Sequence, residues 1–223
     1  MKRIIVIGCP GSGKSTFAKA LHSITHIPLF HLDMMYWQED KTIVDKAVFM
    51  DRLSSAMQLD EWIIDGNYGS TMEMRLNACD TVFFLDYPVE VCLDGIVARV
   101  GKPRTDMPWV ESEVDAEFET FVRQYRDISR PKVLALLGLY ASKNIYIFQN
   151  RQEADDFLKN HPLGGWMFIG GRENTFRELF IRFPYQNLDS LWPSHPIRGS
   201  SPKGRALKCL PLWGRCPLTT LGA

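Results

Sequence analysis

Short apolar runs alternate along the chain with longer segments in which apolar residues recur at helical spacing. The runs occupy residues 2–8, 29–33, 62–65, 81–86 and 144–149. Runs of this length are typical of strands that are buried on both faces of a parallel sheet. The amphipathic segments predict helices at residues 14–24, 45–59, 70–79, 89–100, 112–127, 132–142 and 151–159. Strands that alternate with helices in this order predict an α/β fold, with helices on both faces of a parallel sheet.

A glycine-rich loop joins the first predicted strand to the first predicted helix. Its sequence, GCPGSGKS at residues 8–15, has the spacing G-x-x-x-x-G-K-S of a P-loop. The glycines let backbone N–H groups converge on phosphate oxygens, and the helix N-terminus adds partial positive charge. Lys14 can reach the β- and γ-phosphates, while the Ser15 hydroxyl can bind Mg²⁺. The predicted phosphate-binding residues are Gly8, Pro10, Gly11, Ser12, Gly13, Lys14, Ser15 and Thr16.

Polar residues stand at the ends of the other predicted strands. Asp33, Asp65 and Asp86 each close a strand, and Asn150 follows the last one. Ligands of parallel α/β sheets bind at the carboxyl ends of the strands. We therefore expect these side chains and Gly8 to lie along one rim of the sheet.

Composition divides the chain near residue 160. The 223 residues are 45% hydrophobic and 23% charged with zero net charge, as in an ordinary globular protein. Residues 1–160 hold 18 basic and 23 acidic side chains, whereas residues 161–223 hold 8 and 3. The second segment also holds 7 of the 13 prolines and shows no sustained periodicity. We expect a P-loop domain over residues 1–160 and an irregular, poorly ordered basic appendage over residues 161–223.

Other features narrow the class of protein. The five cysteines are odd in number and include no C-x-x-C pair, which favours a reducing cytoplasm and no zinc site. No apolar run approaches the roughly 18–20 residues of a membrane span, and the charged, strand-like start is unlike a signal peptide. The chain lacks the N-K-x-D of a guanine-specific GTPase, and its acidic body lacks a helix-turn-helix pattern for DNA. We expect a cytoplasmic monomer without membrane or direct nucleic-acid contacts.

Five stretches in order, GCPGSGKST, LDMMYW, WIIDGNY, VFFLDYP and RVGKPRTD, resemble the bacterial family of DNA topology modulation proteins. That family belongs with the adenylate-kinase-like P-loop kinases, and the resemblance covers residues 1 to about 160. It implies a three-layer α/β/α P-loop NTPase of the nucleoside-monophosphate-kinase type, with strand order 2-3-1-4-5. It also implies a small lid at about residues 101–115, and ATP with Mg²⁺ as ligands. The family's name implies an effect on DNA supercoiling.

The resemblance to adenylate kinases also implies roles for individual residues. Asp65 would lie beside the P-loop strand and orient Mg²⁺ through water, with Asp86 on the other side as the alternative. Arg99 and Arg104 stand where the lid begins, and together with Lys14 they would stabilise the transferring phosphoryl group.

The acceptor side is less well defined by the sequence. Asp33 is placed to accept the proton of an acceptor hydroxyl, and Trp37 either stacks on a flat substrate or packs in the core. Adenylate kinases carry an arginine shortly after the third strand that this chain lacks, so Arg75 is the candidate substitute. Arg123 and Arg126 share a helix face at i, i+3, where they either bind substrate or face solvent.

Together these features predict an ATP- and Mg²⁺-dependent phosphotransferase that acts on a nucleotide or small-molecule acceptor. The alternative is a nucleotide-binding regulator of DNA topology or gene expression with little turnover.

Overall fold

The computed structural model describes residues 1–160, and the predicted appendage at residues 161–223 lies outside the described residues. Within the described part, five strands form one sheet, and every neighbouring pair is parallel. The strands are β1 (Arg3–Gly8), β2 (Leu29–His31), β3 (Trp62–Asp65), β4 (Thr81–Leu85) and β5 (Asn144–Phe148). Their order in the sheet is β2-β3-β1-β4-β5. The predicted fold class and strand order are confirmed.

Helices cover both faces of this sheet. They are α1 (Lys14–Thr25), α2 (Leu32–Tyr36), α3 (Lys46–Met57), α4 (Gly69–Ala78), α5 (Val89–Val97), α6 (Ala116–Gln124), α7 (Arg130–Leu139) and α8 (Arg151–Asn160). A π-helical turn, Tyr125–Ser129, joins α6 to α7. None of the helices in residues 1–160 is long and apolar enough to cross a membrane.

The central strand explains why the sequence shows continuous apolar runs. Ile4 and Val6 of β1 belong to the core on one face of the sheet, while Ile5 and Ile7 belong to the core on the other. All four side chains are at most 1% exposed. Burying an aliphatic side chain of this size stabilises a fold by roughly 1.5–3 kcal/mol. A strand that is buried on both faces therefore needs apolar residues at every position, not at alternate ones.

Several predicted boundaries differ from the structure by two to four residues, and two of them are wrong for local reasons. The second strand was expected to run to Asp33, but it ends at His31, and α2 begins at Leu32. Asp33 therefore lies in the first turn of a short helix. The helix expected from residue 112 begins at Ala116, because the Asp115 carboxylate caps it by accepting the Phe118 N–H at 2.9 Å.

Candidate active site

The P-loop leaves β1 at Gly8 and enters α1 at Lys14, lying against the backbone of α5. Gly11 has a φ of +82°, and a Cβ there would meet the Cys92 carbonyl oxygen at 2.0 Å. From the opposite side, a Cβ at Gly95 would meet the Gly11 carbonyl oxygen at 2.0 Å. Only glycine at both positions allows this approach, so the loop's shape depends on α5 as well as on its own sequence.

A single amide side chain holds the start of the P-loop. The Asn67 Oδ1 accepts the Gly8 N–H at 3.1 Å, and the Asn67 Nδ2 donates to the Gly8 carbonyl at 2.7 Å. Because Asn67 is buried, it satisfies two backbone groups that water cannot reach. The sequence showed Asn67 only as a departure from the adenylate kinase pattern.

Arg75 supports the backbone of Asn67 and of its neighbours. Its guanidinium is fully buried and donates to the backbone carbonyls of Gly66, at 2.8 Å, of Asn67, and of Tyr68, at 3.1 Å. It thereby holds the loop that follows β3. Arg75 does not line the cleft described below, so its predicted contact with the acceptor has no support in the geometry.

The P-loop opens into a cleft of about 1110 Å³. The cleft lies between the carboxyl ends of the strands and residues 99–118, which connect α5 to α6 and form the start of α6. Most of the predicted site residues line it: Pro10, Gly11, Gly13, Lys14, Ser15, Thr16, Asp33, Trp37, Asp65, Arg99 and Arg104. Gly8 and Ser12 support the loop from behind instead, and the Ser12 hydroxyl is buried without a hydrogen-bond partner.

Lys14 is free to move toward a ligand. Its Nζ donates to the Cys9 carbonyl at 3.1 Å, a contact within its own loop. No salt bridge to Lys14 is found among the described residues. A phosphate in the loop would replace one neutral acceptor with charged oxygens, to which hydrogen bonds are stronger.

The two acids that are candidates for binding Mg²⁺, Asp65 and Asp86, differ in the hydrogen-bond partners they already have. One oxygen of Asp65 lies 2.9 Å from the His31 Nδ1, and the other, Oδ1, is buried without a partner. Asp86 is engaged on both oxygens by the Arg130 guanidinium, at 2.6 and 2.7 Å. Asp86 lines a separate cavity of about 80 Å³. Of the two, Asp65 is the acid that has an oxygen free.

These residues fit a magnesium ion that also binds a nucleotide. Asp65 and Ser15 line the same cleft, one Asp65 oxygen has no hydrogen-bond partner, and Mg²⁺ prefers such oxygen ligands together with phosphates and water. The described residues contain no group of three His, Cys, Asp or Glu side chains that could hold a metal by themselves. Most ligands of such an ion would therefore come from the nucleotide and from water.

His31 was not a predicted site residue. It lies directly opposite Asp65 in the register of β2 and β3, which places its ring against the carboxylate. The two residues are 34 positions apart in the sequence, so their pairing becomes apparent only from the register of β2 with β3.

Asp33 lines the cleft together with aromatic side chains. The Tyr68 hydroxyl donates to the Asp33 Oδ1 at 2.7 Å. Burial raises the pKa of the Asp33 carboxyl above its ordinary value, and the hydrogen bond from Tyr68 opposes that shift. Trp37 lines the cleft and meets Trp109 edge to face, with ring centroids 5.2 Å apart. A carboxylate beside an aromatic wall can hold a hydroxyl compound with a flat or apolar face.

The two predicted lid arginines differ in how firmly they are paired. Arg99 lies 2.8 Å from the Glu111 carboxylate and over the Phe118 ring, 5.1 Å from its centroid. Arg104 lies 3.5 Å from the Asp106 carboxylate and 3.7 Å from that of Glu111, which leaves its donors weakly used. Arg104 is therefore the more available of the two for a phosphoryl group.

The two arginines near the end of α6 lie outside the cleft. Arg123 pairs with Glu119 on the exposed side of the helix. Arg126 falls in the π-helical turn and lines the small cavity beside Asp86. The π turn changes the helical spacing between the two, so the substrate-binding face predicted for them has no support in the geometry.

Comparison with known proteins identifies no family for this chain. No protein-family model matches, and neither does any curated protein sequence, so the resemblance to DNA topology modulation proteins has no further support. Among solved structures, shikimate kinase from Bacteroides thetaiotaomicron is 17% identical with a TM-score of 0.48, covering 71% of this chain and 94% of that one. Shikimate kinase from Aquifex aeolicus is 19% identical, with a TM-score of 0.42 and coverage of 70% and 92%. Shikimate kinase from Acinetobacter baumannii, in complex with shikimate, is 18% identical, with a TM-score of 0.48 and coverage of 71% and 89%.

At TM-scores below 0.5 these likenesses carry no argument about function. The fold assignment rests on the sheet order and the P-loop, and the function has to be inferred from the cleft.

Proposed function

We propose that this chain is an ATP-dependent phosphotransferase that passes the γ-phosphoryl group of ATP to a nucleotide or small-molecule acceptor. The observation that carries the proposal is that the P-loop, Asp33, Asp65 and Arg104 line one cleft. Its volume of about 1110 Å³ exceeds the roughly 300–1,000 Å³ of a site for one small ligand. The lining reaches from the P-loop to Asp33 and Trp37, so a donor and an acceptor can lie in the cleft side by side.

The donor half would be built on the P-loop. Its backbone N–H groups and the N-terminus of α1 would hold the triphosphate, and Lys14 would turn from the Cys9 carbonyl toward the phosphates. Ser15 and Asp65 would hold Mg²⁺, which when bound supplies positive charge against the phosphate oxygens.

The acceptor half would be built on Asp33. Its raised pKa makes the carboxylate a stronger base than an exposed one, which suits removal of a proton from an acceptor hydroxyl. Arg104, supported by Arg99, would donate hydrogen bonds to the phosphoryl group in transfer. We assign residues 101–115 as the lid that excludes water, because they form one wall of the cleft without helix or strand.

The five ordered motifs support a relation to the DNA topology modulation proteins as part of the same proposal. Residues 1–160 carry 18 basic and 23 acidic side chains, a balance that disfavours contact with a polyanion. An effect on DNA topology would then follow from phosphate transfer to a small molecule and not from binding to DNA.

The proposal is tested by measuring ADP release in a coupled assay. The full chain is incubated with ATP, Mg²⁺ and a panel of nucleoside monophosphates, nucleosides and polyols. We expect release that depends on one class of acceptor and that falls by about 10²–10³ in Lys14→Ala, which removes a charged donor to the phosphates. ATP binding without release for any acceptor would favour the alternative, a regulator with little turnover.

A further inference from the structure

The lid is closed on itself at its base and contacts the P-loop helix at its tip. The Gly101 N–H donates to the Glu111 carbonyl oxygen at 2.7 Å, which joins the two sides of the loop. Asp106 stands midway between these two residues in the sequence, and its Oδ1 lies 2.6 Å from the Lys19 Nζ of α1. Within residues 1–160, this is the ion pair that links the lid to α1.

Lys19 lies one turn of α1 beyond Ser15. Residues four positions apart share a helix face, and both side chains line the cleft. The P-loop passes directly into this helix at Lys14. A lid that is fastened to Lys19 therefore keeps a fixed position relative to the phosphate-binding loop.

The Asp106 carboxylate joins Lys19 to the lid arginine Arg104. Asp106 is 4% exposed, and its Oδ2 lies 3.5 Å from the Arg104 guanidinium. Burial opposes ionisation of Asp106, but the hydrogen bond from Lys19 and the charge of Arg104 outweigh it, so the pKa of the carboxyl lies below its ordinary value. The carboxylate is charged at neutral pH. A buried charge of this kind depends on its partners, unlike a charge in an exposed surface pair.

Arg104 has donors to spare, but it needs a fixed direction to use them on a phosphoryl group. Its contacts with Asp106 and Glu111, at 3.5 and 3.7 Å, are long for hydrogen bonds. Burial raises the pKa of Asp33, and the charge of Arg104 acts against that shift. The guanidinium is therefore within electrostatic range of the acceptor side of the cleft, and the residue that orients it controls what it meets there.

We propose that Asp106 is a positioning residue, which together with Lys19 fastens the lid to the P-loop helix and so holds Arg104 toward the phosphoryl group in transfer. The inference rests on the proposed function, because Arg104 needs a phosphoryl group to meet. Asp106 acts through Arg104 and not on the substrate. The competing attachment of the lid is the edge-to-face contact between Trp109 and Trp37, which would hold the lid without directing Arg104.

The kinetic test is a double-mutant cycle between Asp106 and Arg104. The value of kcat is measured for Asp106→Asn, Arg104→Met and the double variant, with Mg²⁺, saturating ATP and the acceptor that gives the fastest ADP release. We expect Asp106→Asn to lower kcat by about 10–10²-fold with a smaller change in the KM of ATP, since a displacement of about 1 Å at a reacting group costs that much. In the Arg104→Met background, the same change should lower kcat by no more than about twofold. No loss in the single variant, or losses that multiply in the double variant, would overturn the inference.

A matched pair of variants at position 19 tests the ion pair itself. Lys19→Arg keeps a positive charge facing Asp106, whereas Lys19→Met removes it. We expect the first to keep most of kcat and the second to lose as much as Asp106→Asn. Lys102→Met is the control, because Lys102 belongs to the lid but does not line the cleft, and its kcat should stay unchanged. Equal losses in the two Lys19 variants would contradict the ion pair as the cause.

Amide hydrogen exchange tests the attachment of the lid without any turnover. Peptides that cover residues 101–115 of the full chain are followed by mass spectrometry. We expect faster exchange in Asp106→Asn and Lys19→Met than in the unaltered chain, and no change in Lys102→Met. Unchanged exchange in Asp106→Asn would overturn the inference and assign the attachment to Trp109. If no acceptor gives ADP, the proposed function fails, and the exchange still decides whether Asp106 fastens the lid.

Discussion

Replacing Gly95 with alanine tests whether helix α5 sets the geometry of the P-loop. The added Cβ would lie 2.0 Å from the Gly11 carbonyl oxygen and 2.8 Å from the carbonyl carbon. Both atoms belong to the backbone, so no side-chain rotation can relieve the contact. The helix and the loop must separate by about 1.4 Å to restore ordinary contact at 3.4 Å.

The size of the effect follows from that displacement. Overpacking of a buried contact costs about 1–3 kcal/mol, and alanine returns up to about 1 kcal/mol of helix propensity. The free energy of unfolding should therefore fall by about 3 kcal/mol at most. The larger effect is on ATP, because loop amides that move by about 1.4 Å lose hydrogen bonds to charged oxygens worth about 1.5–3 kcal/mol each. The loss of one such bond weakens ATP binding by at least about tenfold.

The assay measures the dissociation constant of ATP by calorimetry and the stability by urea unfolding. Leu53→Ala is the control, because Leu53 of α3 is fully buried in the core and does not line the cleft. It should lose about 2–5 kcal/mol of stability and keep its affinity for ATP. A Gly95→Ala variant that binds ATP as tightly as the unaltered chain would refute the dependence of the loop on α5.

Three further predictions concern residues around the site. Asp33→Asn should raise stability at neutral pH. The pKa of Asp33 is raised in the folded chain, so the folded chain loses stability as the pH rises above the ordinary aspartate pKa, and asparagine removes that loss. Urea unfolding should show the gain vanish below about pH 4, and a gain that stays constant with pH would exclude this cause. Asn67→Ala should lower stability by about 2 kcal/mol or more and weaken ATP binding, because two buried backbone groups lose their partners; an unchanged melting curve would contradict the role of Asn67. Arg130→Met should cost about 3–5 kcal/mol by leaving Asp86 buried and unpaired, whereas Arg123→Met, in an exposed pair, should cost less than about 1 kcal/mol in the same melts.

The sheet could be predicted from the sequence largely because its three central strands, β1, β3 and β4, are buried on both faces. Each apolar run could be a strand or a segment of a buried helix. The short length of the runs, and the P-loop between the run at 2–8 and the helix at 14–24, favoured strands. The same rule failed at 29–33, where the apolar period of Leu29–His31 continues into α2 without a break. A three-residue strand followed at once by a helix leaves no signal at its boundary.

The supporting residues of the site could not be predicted, because their partners are set by tertiary contacts. The role of Asn67 depends on Gly8, 59 positions away, and that of His31 depends on the register of β2 with β3. Arg75 resembled a substrate-binding arginine in sequence, yet its guanidinium is turned inward to backbone carbonyls. Spacing along a helix predicts which face of the helix a side chain lies on, but it does not predict which distant residue that side chain will contact.

The most direct test of phosphotransfer follows the γ-phosphoryl group itself. The full chain is incubated with Mg²⁺, ATP labelled at the γ-phosphorus, and the acceptor that gives the fastest ADP release, and the products are separated. We predict that the label appears on that acceptor with the unaltered chain, and that Lys14→Ala and Asp33→Asn abolish this product. Label that goes to inorganic phosphate alone, or that stays on ATP while the nucleotide is bound, would contradict the assignment of the cleft to phosphotransfer.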